Sequence, residues 1–325
     1  MGVPGTKVLL AMPMGFCAGV DRAIDVVERA LEEYGAPVYV RGQIVHSEHV
    51  IDQLSRRGAV FVDSEDEIPE GAVCILSAHG VAPEVRRRVG ERELRVIDAT
   101  CPLVAKVHVE VRRYARAGRT IVLIGRRGHE EVEGTLGEAP ELTHVVMTEE
   151  EIDALPIAAT APVAYVMQTT LAVDDTARLV ARLRERFSDL VGPGKDDICY
   201  ASQNRQAAVK AIAPECDVVL VAGARNSSNS NRLVDVARAQ GTAAHLVPDA
   251  PALEPAWLDR ARVVGVGAGA SAPRRLVDAI LARLAELGYD DVEEREVARE
   301  TVAFPPPRMP ATARPGNDAP AEVVG

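Results

Sequence analysis

The 325-residue sequence has few aromatic residues, 3% in all with a single Trp, although 47% of it is hydrophobic. Such a composition, built on Val, Ala, Leu and Ile, suits an α/β protein. Positive charge is in deficit: 37 Lys and Arg face 48 Asp and Glu, a net charge of −11. Nucleic acids and anionic membranes are therefore poor partners, and an anionic ligand must be held by local dipoles and hydrogen bonds. No apolar run approaches the ~20 residues that span a bilayer. No small-residue cleavage site follows Leu9–Met14, so a secretory signal is not expected and the sequence reads as cytoplasmic. A G-x-x-x-x-G-K-[ST] loop is missing, which leaves nucleotide hydrolysis without support. The five cysteines (17, 74, 101, 199 and 216) are odd in number, widely spaced and without any C-x₂-C pair. A secreted disulfide framework and a paired-ligand zinc site both fit that pattern poorly.

What is present is organised around three of those cysteines. Cys17 stands between glycines in Gly15-Phe-Cys-Ala-Gly19, after the apolar run Lys7–Ala11 and before the helical pattern Asp21–Tyr34. Cys101 follows the apolar Arg95–Ile97 and opens a helix-like run to Ala117; Cys199 precedes another, from about Gln203 to Ala213. Each thiol is thus expected at a strand-to-helix joint, where the helix dipole favours a thiolate. Strands alternate with helices almost throughout, the signature of parallel α/β layers.

Counting from each cysteine reveals a repeat. His46, His129 and Ser228 lie 29, 28 and 29 residues after Cys17, Cys101 and Cys199; His79, Thr169 and Ser271 lie 62, 68 and 72 residues after them. The later positions end apolar strands in small or polar clusters, Ser77-Ala-His-Gly80, Gln168-Thr-Thr170 and Gly269-Ala-Ser271. Matching offsets imply three similar α/β units facing one centre, with the polar residues at the C-terminal ends of strands, where ligands collect in such sheets.

Three convergent thiolates without a fourth suit an iron–sulfur cluster with one iron left unligated by protein. Cys74 and Cys216, inside or beside apolar runs, read as packing. The histidines, Thr169, Ser227, Ser228, Asn229 and Ser271 offer many hydrogen bonds and few fixed charges, a set suited to a diphosphate partly matched by histidinium. His49, His108, His144 and His245 lack the offsets and read as surface or supporting residues. Gly128-His-Glu-Glu-Val-Glu-Gly134 is expected to be a Gly-bounded turn that puts carboxylates beside His129, able to deliver protons, with an acidic helix start as the plainer reading. Gly265-Val-Gly-Ala-Gly-Ala270 matches a permissive dinucleotide fingerprint, but no strands remain after it to complete a dinucleotide domain. Spacing alone leaves a non-redox iron–sulfur hydro-lyase acting on a small diphosphate as an alternative to a reductase.

The motifs Gly15-Phe-Cys-Ala-Gly-Val-Asp-Arg22, Asp98-Ala-Thr-Cys-Pro102, His129-x-Glu-Val-Glu-Gly134, Gln168-Thr-Thr170, Cys199-Tyr-Ala-x-Gln-Asn-Arg205 and Asn226-Ser-Ser-Asn-Ser-Asn-Arg232 occur in order along the sequence. Together they resemble the LytB/IspH family of 4-hydroxy-3-methylbut-2-enyl diphosphate reductases, from about Lys7 to Pro307. The resemblance implies a trefoil of three pseudo-threefold α/β units around one [4Fe–4S] cluster, held by Cys17, Cys101 and Cys199 with one iron open. Units are expected over 14–97, 98–192 and 193–285, with strand 6–13 packed on the third and a disordered Pro/Ala-rich tail over 305–325. It also implies removal of the allylic hydroxyl to give isopentenyl and dimethylallyl diphosphates, the last step of the non-mevalonate pathway. Glu131 would be the proton donor, Thr169 would orient the hydroxyl, and His129 would lie beside the substrate. His46, His79, Ser227, Ser228, Asn229 and Ser271 would hold the diphosphate. Electrons would come from ferredoxin or flavodoxin, to a protein expected to be a monomer. Met14, Ser47 and Glu130 depart from the family's usual Arg, Asn and Pro.

Overall fold

In a computed structural model describing residues 5–310, the chain forms three wholly parallel sheets covered by helices. The first holds β2 (Val38–Arg41), β3 (Ala59–Val62), β4 (Val73–Leu76) and β5 (Arg95–Asp98) in the order β3-β2-β4-β5. The second holds β6 (Thr120–Ile124), β7 (Thr143–Val146), β8 (Pro162–Met167) and β9 (Asp189–Val191) in the order β7-β6-β8-β9. The third holds β10 (Val218–Ala222), β11 (Ala243–Val247) and β12 (Val263–Ala268), joined by β1 (Lys7–Met12) and β13 (Val292–Glu296), in the order β11-β10-β12-β1-β13. Numbered within each sheet, all three share the winding 2-1-3-4. In the third sheet the fourth place is taken by β1, which pairs with β12 on one side and β13 on the other.

The strands are short Val/Ile/Leu runs because both faces are covered, as parallel sheets require; Val73–Leu76, for example, is buried at every residue. The helices are amphipathic. In α1 (Ala18–Tyr34), Val20, Ala23, Val26, Val27 and Ala30 form the buried stripe, with charges on the opposite face. The chain leaves α1 at Gly35, whose φ of 75° is open to glycine. Burying Val26 and Val27 against the first sheet contributes roughly 1.5–3 kcal/mol each, so an Asp at Val27 would expel the helix.

The departures from the sequence reading have simple causes. β13 (Val292–Glu296) was not expected, because an edge strand written Val-Glu-Glu-Arg-Glu faces solvent and carries no apolar alternation. α3 (Pro83–Glu91) is charge-rich with Val89 as its one buried residue, too faint an apolar pattern to read. The Gly128–Gly134 segment is not a turn: after Gly128 it forms α5 (Glu130–Leu136), capped by His129. Nor is the expected tail free from 305 onward. Arg22 donates to the Pro305 carbonyl at 2.8 Å, Tyr34 donates to that of Pro310 at 2.6 Å, and Met309 packs on the first unit's core. Residues 311–325 of that expected tail lie outside the described residues. No helix among the described residues is long and apolar enough to cross a membrane.

Candidate active site

The winding gives the sequence offsets their meaning. Cys17, Cys101 and Cys199 each follow the fourth strand of a sheet (β1, β5 and β9) and cap the helix leading into the next unit. They are the N-cap residues of α1, α4 (Pro102–Arg116) and α8 (Tyr200–Ile212). His46, His129 and Ser228 follow the first strand of each sheet, and His79, Thr169 and Ser271 follow the third. All of these, with Glu131, Ser227 and Asn229, line a single cavity where the strand ends converge.

Burial outweighs the helix dipoles at the thiols, contrary to the expectation of ready thiolates. It pushes Cys17 up, Cys101 up to about 12 and Cys199 up to about 11, and the neighbouring thiols' charges add to the effect at Cys101 and Cys199. Three thiolates here need a positively charged centre between them. A single zinc ion would bring its sulfur ligands to about 3.8 Å of one another, given Zn–S bonds of about 2.3 Å. The thiols are not among the donor sets found within 4.8 Å among the described residues, so their spread asks for a larger centre. Gly19 completes the cradle: a Cβ there would stand 2.8 Å from Cys101 Sγ and 3.7 Å from Cys17 Sγ. The donor set and its clearance fit an iron–sulfur cluster.

Beside the thiols lies Glu131, in the first turn of α5 and 3% exposed. Its Oε1 accepts the Thr169 N–H at 2.6 Å and its Oε2 the Thr169 hydroxyl at 3.1 Å. Burial raises its pKa above the ordinary carboxylate value despite those two bonds, as an acid that must carry a proton near neutrality requires. The His129 Nδ1 accepts the Glu131 N–H at 3.2 Å, which leaves its Nε2 buried and unpartnered.

Three imidazoles meet above this carboxylate. His46 stacks on His79 with centroids 4.1 Å apart, and His129 stands edge-on to both, at 5.2 and 5.9 Å. Burial and mutual repulsion lower His46 to about 3 and His129 to about 4. Preformed imidazolium, the sequence expectation for these two, is therefore not what the pocket offers; an arriving anion would have to bring the protons with it.

The third unit supplies neutral donors. Ser227 caps α9 (Ser228–Ala239), accepting the Ser230 N–H at 3.3 Å, and the Ser228 hydroxyl accepts from Thr170 at 3.0 Å. Asn229 accepts the Ala270 N–H at 2.8 Å and donates to the Ser202 hydroxyl at 3.0 Å. Ser271 donates to the His46 carbonyl at 2.8 Å, tying the third unit to the first.

Several residues at the site were given no role by the sequence, although Arg22 and Arg205 stand in the quoted motifs. Ser202 links Asn229 to Cys199, its hydroxyl 3.2 Å from Sγ; the spacing Cys-x-x-Ser at a helix start could have marked it. Arg205, 1% exposed, donates to the carbonyls of Gly15 and Phe16 just ahead of Cys17 and pairs with Glu300. Arg22 donates to the carbonyls of Ala99 and Thr100, ahead of Cys101. His108 is buried against Glu138 at 2.8 Å, while His49, His144 and His245 lie away from the cavity. Cys74 is fully buried in the first unit, and Cys216 packs on the third unit's core. In the dinucleotide-like run, a Cβ at Gly265 would meet Cys216 Sγ at 2.9 Å and one at Gly269 would meet Ser230 Oγ at 2.0 Å. Helix packing explains those glycines.

A family model described as LytB protein matches residues 8–285. A protein of Mycolicibacterium vanbaalenii named 4-hydroxy-3-methylbut-2-enyl diphosphate reductase is 54% identical over 313 residues, covering 96% of this chain and 93% of that one. Among solved structures, the E-1-hydroxy-2-methyl-but-2-enyl-4-diphosphate reductase from Plasmodium falciparum superposes with a TM-score of 0.90 at 36% identity, over 94% of this chain and 96% of its own. A (E)-4-hydroxy-3-methyl-but-2-enyl diphosphate reductase described as the terminal enzyme of the non-mevalonate pathway gives 0.61 at 33% identity, over 86% and 99%.

Proposed function

This chain belongs to the LytB protein family, and on that premise we propose that it reduces 4-hydroxy-3-methylbut-2-enyl diphosphate. The substrate takes up two electrons and two protons, its allylic C–O bond breaks, and isopentenyl or dimethylallyl diphosphate leaves with one water. The observation that carries the reading is the convergence of three capping cysteines, a buried carboxylic acid and a neutral polar seat on one cavity.

Members of the family work with an iron–sulfur centre. In this chain Cys17, Cys101 and Cys199 would hold it, as a [4Fe–4S] cluster with three protein ligands. When bound, the cluster supplies electrons singly and a Lewis-acidic iron. The protein's own residues do the rest. Buried Glu131 would be the proton donor, and Thr169, bonded to both its oxygens, would orient the hydroxyl and its proton relay. His129 presents its unpartnered Nε2 to the substrate. His46, His79, Ser227, Ser228, Asn229 and Ser271 receive the diphosphate, with the N-terminus of α9 adding its dipole. A one-electron protein donor such as ferredoxin or flavodoxin would supply the reductant, and the enzyme would act as a monomer.

The test is anaerobic purification with iron and sulfide analysis, then turnover of the allylic diphosphate with and without a one-electron donor. About four irons and donor-dependent formation of the two five-carbon diphosphates are expected. A cluster whose reaction proceeds equally without donor would mean hydro-lyase chemistry, and bound zinc in place of iron would overturn the reading.

A further inference from the structure

Glu130, which the reduction does not use, stands against two histidines of the cavity. His46, His79 and Glu130 have ligand atoms within 4.8 Å of one another, the one such group of three found among the described residues. We propose that these residues form a second metal site, for a divalent transition-metal ion of the zinc type, and that an ion there excludes the diphosphate.

Two imidazoles and one carboxylate are a donor set that suits zinc and its first-row neighbours. The geometry is nearly in place. His79 Nδ1 stands 2.8 Å from Glu130 Oε2. Two ligands bound tetrahedrally at about 2.0–2.1 Å are separated by about 3.3 Å, so an ion that replaced this hydrogen bond would part the pair by about 0.5 Å. The His46 ring stacks on His79 at 4.1 Å, so its nitrogens open onto the same space.

His46 is also prepared as a ligand. Its Nδ1 lies 3.1 Å from Gln43 Oε1, and Gln43 is itself held by the Asn226 side chain at 2.9 Å. The other nitrogen, Nε2, is buried without a partner. Metal-binding histidines characteristically have one ring nitrogen fixed by an oxygen acceptor while the other meets the ion. Glu130 arrives from a different unit, on the first turn of α5. An ion would therefore join the first and second units across the mouth of the cavity.

Metal and diphosphate compete at His46, where Gln43 holds Nδ1 and only Nε2 is left for either. A ring nitrogen that donates its N–H to a phosphate oxygen carries a proton; one that binds a metal must offer its lone pair. A single imidazole nitrogen cannot do both. This exclusion, unlike the metal site itself, rests on the reading of the histidines as the diphosphate seat.

The experiment uses the iron-loaded protein under anaerobic conditions, with free zinc fixed by a chelator buffer. Calorimetry should show one zinc bound per chain, and Glu130→Gln should weaken it by about 10–100-fold. The zinc X-ray absorption edge should show nitrogen and oxygen neighbours with no sulfur, the iron content being unchanged. Inorganic diphosphate, with its own zinc complexation accounted for, should bind more weakly as free zinc rises, and less so in Glu130→Gln. No saturable zinc, equal affinity in the variant, or sulfur neighbours would overturn the metal site. Zinc-independent diphosphate binding would overturn the exclusion. Diphosphate binding without zinc is measured separately on the same protein, and its absence would refute the diphosphate seat while leaving the metal site standing.

Discussion

Arg205 and Glu300 form a buried ion pair, Nη1 to Oε1 at 2.8 Å, with the arginine side chain 1% exposed. The same guanidinium donates to the Gly15 carbonyl at 2.6 Å and to the Phe16 carbonyl at 3.2 Å. Because Arg205 belongs to the helix capped by Cys199 and grips the loop carrying Cys17, it fixes one thiol relative to another. Glu300 balances a charge that this arrangement could not otherwise bury.

Glu300→Ala leaves that guanidinium unpaired and should destabilise the protein by about 3–5 kcal/mol in denaturant unfolding. Iron retention should fall with it, since the Cys17 loop loses its anchor. A variant with wild-type stability and full iron would show that the pair is dispensable.

Gly19→Ala separates helix stability from cluster binding. Position 19 is the second residue of α1, where Ala fits the helical backbone, yet the added methyl would stand 2.8 Å from Cys101 Sγ. Thermal stability of the polypeptide should hold while iron content drops, as it should in Cys17→Ser. Cys74→Ser and Cys216→Ser should keep their iron. Full iron in Gly19→Ala would mean that the thiols do not share a centre there.

Glu131→Gln preserves the shape of the acid and removes its transferable proton. Turnover should fall by about 10²–10⁴-fold with substrate affinity and iron content retained. Near-normal turnover would exclude Glu131 as the proton donor.

Glu110, on α4, gives a pH dependence of stability. Burial, then the charge of Asp197 beside it, raises its pKa from 4.5 to about 7, with Lys106 3.9 Å away opposing the shift. Between these values the folded protein holds a proton that the unfolded chain has released. Its contribution is thus complete below pH 4.5 and lost as pH rises through about 7. His46 and His129, buried neutral, make stability rise over part of the same window. The test is therefore the difference between proteins: the melting temperature of Glu110→Gln should gain on the wild type as pH rises from 4.5 to about 7, and parallel curves would refute the assignment.

The repeat was readable in the sequence because each unit keeps its polar residues at the ends of equivalent strands, and strand-to-strand distances vary little. Cys17 to His46 and Cys199 to Ser228 differ in chemistry and agree in spacing. Their roles as helix caps followed from the glycines and proline that flank them. Other features were silent. Arg205 looks like any helix arginine until the Gly15 and Phe16 carbonyls are placed around it. Glu300 lies in an irregular stretch whose importance comes wholly from a partner 95 residues away. The lowered pKa values of His46 and His129 come from crowding between units, which no local pattern encodes.

The place of β1 bears on how the protein is made. Its neighbours β12 and β13 begin at Val263 and Val292, so the first strand to leave the ribosome waits for the last to be synthesised. At 5–20 residues per second that delay is roughly 10–60 s. Throughout it the Cys17 loop, carried on β1, has no fixed position relative to Cys199. An iron–sulfur centre on Cys17, Cys101 and Cys199, as proposed, would therefore be completed only once β12 is in place.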